Sequence, residues 1–178
     1  MRKIGYFVLL SLMIAGFLVG CTTIPMKLHH DLAVKTSEIF IDRVEVFNGL
    51  KRDAFTGAVK ELGTLVNIDR DPRYQKLVQC YLSALKRQLE DEGFVVTDSP
   101  KDKSLLLMTK IADDKPTKGL LGYTLYGQGT VVIQVNVCQN NEPLLTFGES
   151  ANYSIFSIET QVRRLTPKIV QKLREKLL

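Results

Sequence analysis

Histidine is scarce in this chain: His29 and His30 are the only two among 178 residues. Being adjacent, they do not share a helical face, and no cysteine or acidic residue stands near them at ligand spacing, which argues against a histidine-based metal centre. Cysteine is limited to Cys21, Cys80 and Cys138, again without metal-ligand spacing. No Gly-x-Ser-x-Gly elbow occurs, and the acidic pairs Glu90/Asp91 and Asp113/Asp114 fall where a helix end and a turn are expected, positions at which carboxylates are ordinarily solvated. A catalytic reading needs a nucleophile with its base, paired carboxylates in a cleft, or a metal cluster. None is assembled here, so the chain is expected to be no enzyme and to hold no metal and no dissociable cofactor.

Long apolar runs are confined to the N-terminus. Arg2 and Lys3 precede an apolar stretch from Tyr6 to Leu18, and small Gly20 stands just before Cys21. This is the layout of a secretory signal. The stretch is short for a permanent span, which needs roughly 20 apolar residues. Leu18-Val19-Gly20-Cys21 resembles the lipobox of bacterial lipoproteins. The resemblance implies diacylglyceryl transfer to the Cys21 thiol, cleavage after Gly20 and acylation of the new amino terminus, with palmitate among the chains. Two or three acyl chains anchor stably where one does not. Thr22 stands where aspartate would signal inner-membrane retention, so the same resemblance implies a cell-envelope protein on the outer membrane, facing the periplasm.

Strong excess of one charge is also lacking. The formal net charge is +5, and without Arg2 and Lys3 the 22 remaining basic side chains face 19 acidic ones, or +3. Nucleic-acid binders concentrate basic residues more heavily, and export removes that partner from reach. With 45% hydrophobic and 24% charged residues the chain is of globular composition. The division expected is residues 1–20 as signal peptide, 21–36 as a lipidated tether containing Pro25 and no clear period, and 37–178 as one domain.

Within that domain, Ile39, Ile41, Val44 and Val46 mark a strand from Ser37 to Phe47, ended by Asn48-Gly49. From Lys51 to Ile68, Ala54, Phe55, Ala58, Val59 and Leu62 have helical spacing, giving a short helix and then a loop or short extended piece. Asp71-Pro72 opens the clearest helix, with Asp71 as N-cap, and Gly93 closes it. Its stripe of Tyr74, Leu77, Val78, Tyr81, Leu82, Leu85 and Leu89 calls for a sheet to cover. Strands follow over Phe94–Thr97, Ser104–Ala112, Thr124–Gln139 and Leu144–Tyr153, the last two joined by Asn140-Asn141. A final helix runs from Ser157, either restarting or kinking at Pro167. The expected class is α+β, a mostly antiparallel sheet of four to five strands with helices packed on one face. Cys80 lies nearly opposite the first helix's stripe and Cys138 opposite the face of Val131, Ile133, Val135 and Val137, so both thiols point away from the shared core. A disulfide between them, free thiols and an intermolecular bond all remain open.

Two features suit binding. Leu120 and Leu121, flanked by glycines in the connection after Asp114, are candidates for contact with membrane or partner, or fold back on the core. Arg163, Arg164, Lys168 and Lys172 form a basic set in the last helix that suits lipid phosphates or simply solvent. Gly127 and Gly129 suggest a bulge or a close approach. As a whole the domain resembles small periplasmic α+β lipoproteins, including uncharacterised families and the LPS-assembly lipoprotein family, which plugs an outer-membrane barrel and binds lipopolysaccharide; the resemblance rests on Glu38 to Phe47, Tyr74 to Val96, Thr124 to Val137 and the final helix. It implies a membrane-anchored accessory or scaffold with an envelope protein as partner. The alternative is a carrier of an amphipathic ligand such as lipid or lipopolysaccharide.

Overall fold

The structure, a computed structural model, describes residues 24–29, 36–52, 59–101, 103–114, 129–140, 142–153 and 157–178. Cys21 and the signal segment lie outside these residues, as do Leu120, Leu121 and Gly127. Among the described residues no helix is long and apolar enough to cross a membrane.

Seven strands form one sheet: β1 (Ile24–Leu28), β2 (Glu38–Arg52), β3 (Val59–Leu65), β4 (Val95–Thr97), β5 (Leu105–Asp114), β6 (Gly129–Gln139) and β7 (Glu142–Tyr153). Their order is β1-β7-β6-β5-β2-β3, with β4 also paired to β2. The expected four to five strands are thus too few. β5, β6 and β7 make the anticipated antiparallel meander, whereas β2 pairs β5 and β4 in parallel. Parallel neighbours need a long crossover, and the helix α1 (Pro72–Asp91) lies in the segment between β2 and those two strands.

The two extra strands come from opposite ends of the sheet. Ile24–Leu28, inside the segment expected as a tether, pairs antiparallel with β7 as an edge strand. On the other side, β2 does not stop at Asn48-Gly49 but continues to Arg52 and pairs with β3, so Val59 and Leu62, expected to continue a helical spacing, lie in a strand, while Ala54, Phe55 and Ala58 of the expected helix lie outside the described residues. Gly63 permits this pairing, because a Cβ there would run into the backbone carbonyl of Asn48. β2 also carries a bulge between Ile41 and Arg43. That extra residue returns Val44 and Val46 to the face shared by Ile39 and Ile41, so an i, i+2, i+5, i+7 pattern serves one side of the sheet.

α1 begins and ends as its sequence dictates. Asp71 accepts from the Arg73 amide, Pro72 occupies the first turn, and Gly93 follows at φ +89°. Tyr74, Leu77, Tyr81, Leu85 and Leu89 are buried, while Lys76, Lys86, Arg87, Glu90 and Asp91 are exposed. α2 (Ile158–Leu177) is one helix with Pro167 inside it, not two. Proline there removes an N–H on the solvent side, where water can serve the carbonyl left behind. The two helices run parallel: Cys80, midway along α1, meets Glu159 and Arg163 in the first turns of α2, and Arg174 near the end of α2 pairs with Glu92 just past the end of α1, at 2.7 Å.

Register places Thr109, Val135 and Phe147 in one row, with Ile111, Ile133 and Glu149 beside it. α1 reaches this side through Tyr81, hydrogen-bonded to Thr109 at 3.1 Å, and α2 through Lys172, paired with Glu149. Tyr81, Leu77, Leu85, Ile133, Phe147 and Ile169 are among the fully buried side chains that fill the space between.

Candidate functional site

The basic residues singled out in α2 divide according to helical geometry. Arg164, Lys168 and Lys172 stand at i, i+4 and i+8, one line along a single flank. Lys172 fixes where that flank points. Its ammonium pairs with Glu149 of β7, a carboxylate only 9% exposed, and lies 5.8 Å from the centre of the Phe147 ring. Lys172 therefore faces the β7 side of the sheet, the side that β1 borders, whereas Arg164, two turns earlier, also lines the seam toward α1. Arg164 and Lys168 are exposed.

Arg163 belongs to the opposite flank and faces α1. Its Nε donates to the Cys80 Sγ at 3.0 Å. The seam between the helices opens around this contact into a groove of ≈ 780 Å³, whose lining includes Lys76, Cys80, Glu159, Arg163 and Arg164. Lys76 stands on the exposed face of α1. Its approach to α2 depends on the parallel pairing of two helices separated by the whole meander, which no local pattern reveals. Glu159, in the first turn of α2, has a net lowered pKa: burial pushes it up, but hydrogen bonds from its own amide and from Ser157, with the charges of Lys76 and Arg73, outweigh burial. The groove holds cations around a thiol and one ionised carboxylate.

Cys80 and Cys138 are both free. Cys138 pairs in register with Leu106, one step out of phase with Thr109 and Ile111, and so faces the other side of the sheet from the helices. Burial pushes its thiol pKa up, with Asp42 adding to the effect.

Asp113 corrects the expectation that it is a solvated turn residue. It ends the inward row Leu105, Leu107, Thr109, Ile111, and its side chain is fully buried. Arg73 donates to Oδ2 at 2.6 Å, Tyr74 to the same oxygen at 3.5 Å, and Tyr153 to Oδ1 through a short hydrogen bond. The alternation along β5 was the signal that could have revealed it. Gly129 sits opposite Tyr153 in the sheet, and a Cβ at 129 would collide with that tyrosine's ring. The suspected close approach at Gly129 is therefore to an aromatic side chain. This cluster ties the start of α1 to the ends of β5 and β7. Among the described residues no three histidine, cysteine, aspartate or glutamate side chains group to hold a metal ion.

No family model matches the chain. No curated protein matches it in sequence either. Among solved structures it is similar to the PelC dodecamer from Paraburkholderia phytofirmans, at 11% identity and TM-score 0.46 over 87% of this chain and 98% of that one. A PDZ domain protein from Parabacteroides distasonis is similar at 12% identity and TM-score 0.45, over 92% of this chain but 39% of the other. The rare lipoprotein B from Shewanella oneidensis follows at 9% identity and TM-score 0.35, over 75% and 92%. Likeness at this level assigns neither a fold family nor a role.

Proposed function

We propose that this chain is a bacterial lipoprotein, held on the outer membrane and facing the periplasm through lipid on Cys21, where it serves as a non-catalytic accessory or scaffold of a membrane-associated assembly. The observation that carries the reading is Leu18-Val19-Gly20-Cys21, behind a basic and apolar signal and directly ahead of the first strand of the domain. A carrier of an amphipathic ligand requires an apolar cavity. Here Tyr81, Leu77, Leu85, Phe147 and Ile133 fill the region between helices and sheet, which favours the scaffold. A scaffold offers strand edges and exposed apolar side chains to its partner, and Leu28 on β1 and Leu65 on β3 are 52% and 59% exposed.

Crosslinking in the native cell, followed by purification and mass spectrometry of proteins and lipids, tests this role. A recurrent envelope protein among the crosslinks is the expected result. Enriched lipid or lipopolysaccharide with no protein partner would replace the scaffold by the carrier.

A further inference from the structure

The seam between α1 and α2 stays open beyond the groove already described. A second groove of ≈ 340 Å³ adjoins the first, and the two share Cys80, Ser83 and Arg163 in their linings. Arg163 divides them, since its side chain crosses from α2 to the Cys80 Sγ of α1 at 3.0 Å. The half-buried Cys80 and Ala84, small side chains one helical turn apart, keep the seam open beneath it. Lys76 lines one end and Arg87 the other. Their separation along α1 is about 17 Å at ~1.5 Å per residue, a length that about five residues of extended chain cover at ~3.3 Å each.

The lining is unevenly charged. Lys76, Arg87, Arg163 and Arg164 stand in it against one carboxylate, Glu159. Arg87 also meets Asp91 at 3.8 Å, but both side chains are more than half exposed, and such a pair contributes little. Arg163 engages Cys80 through Nε, which leaves its two Nη groups to take a carboxylate as a bidentate pair. Cations spread along such a length do not converge on one phosphate. They match carboxylates repeated along a chain.

We infer that the α1–α2 seam is a docking trench for an extended, acidic peptide segment of a protein partner, with one of its carboxylates on Arg163. The inference rests on the scaffold reading and names the chemistry of the partner that the scaffold would hold.

The test uses the intact protein purified from the cell envelope in a nonionic detergent, with fluorescein-labelled hexaglutamate as the probe. Anisotropy reads binding, and the rate at which N-ethylmaleimide alkylates Cys80 reads occupancy of the trench. Cys138, on the other side of the sheet from the helices, is the internal reference. Saturable binding that slows alkylation of Cys80 and leaves that of Cys138 unchanged is the expected result. Arg163→Gln should weaken binding about tenfold, the loss of one charge-assisted pair, and Arg164→Gln should weaken it as well. Lys168→Gln, an equal change of charge outside the trench, should leave it as it was. Equal loss from Lys168→Gln and Arg163→Gln, or binding that does not slow alkylation of Cys80, overturns the docking site. Inorganic phosphate that protects Cys80 at the same concentration as hexaglutamate also overturns it, and assigns the cations to a phosphate ligand. In the native cell, p-benzoylphenylalanine in place of Gln79, which lines the trench, should crosslink to an acidic segment of an envelope protein. Protein crosslinked from the same probe in place of Thr64 on β3, and not from position 79, overturns the trench and leaves the scaffold reading standing. Lipid alone at both positions overturns both.

Discussion

The Asp113 carboxylate is fully buried, and its three donors come from two different elements, Arg73 and Tyr74 from α1 and Tyr153 from β7. Asp113→Ala would strand the Tyr153 hydroxyl, while Arg73, at 43% exposure, turns to water. The expected cost is about 1–3 kcal/mol for the buried donors left without a partner, read as a lower urea midpoint at unchanged slope. Tyrosine also sets the alkaline limit. Burial raises the pKa of Tyr81 above its ordinary 10.0, against a smaller opposing effect of Thr109, and burial raises that of Tyr153 as well, aided by the Asp113 hydrogen bond and charge. A group whose folded pKa is raised contributes stability that is complete below its unfolded pKa and is lost as pH climbs toward the folded value. The melting temperature is therefore expected to fall above pH 10.0, and Tyr81→Phe should flatten that fall in a pH series of thermal melts. At this scale the buried acid was within reach of the alternation along β5, but its partners were not, since Arg73 and Tyr153 each lie 40 positions away in sequence.

Local signals defined the helices well and the sheet edges poorly. Asp71-Pro72 and Gly93 bracket α1 because capping and the left-handed stop are matters of a few neighbouring residues. Leu85→Ala, in the centre of its buried stripe, should cost about 2–5 kcal/mol in a denaturation experiment. In β2 the apolar pattern was visible but its bulge was not. β3 was misread because Val59 and Leu62 carry helical spacing, while the pairing that makes them a strand is with β2 and is not local. β1 was hidden for the opposite reason: a five-residue strand has too little pattern to announce itself, and it exists only because β7 offers an edge. Gly129→Ala tests the tightest of these junctions. The Tyr153 ring would have to leave its place, at about 1–3 kcal/mol, and its hydrogen bond to Asp113 would go with it. The basic set of α2 was legible as a set. Its division into a flank toward β7 and an arm toward Cys80 follows from the 3.6-residue period, whereas Glu149 as the partner of Lys172 required the fold.

For the whole molecule, β1 and β3 are the two edges of the sheet. β1 leads back within a few residues of sequence to Cys21, Tyr81 of α1 meets Thr109 of β5, and Lys172 of α2 meets Glu149 of β7. The α+β class was legible because consecutive strand periods from Phe94 to Tyr153 stand between two helix-period segments; the parallel placement of β2 beside β5 was not, because it depends on the long crossover through α1. Lipid attachment at Cys21 is read most directly by mass spectrometry of the N-terminal peptide of the mature protein isolated from the cell envelope. The expected peptide begins at Cys21, carries a diacylglyceryl thioether and an acylated amino terminus, and disappears in Cys21→Ser, which remains unprocessed. A peptide that runs through Gly20 into Cys21 with its thiol free would contradict it.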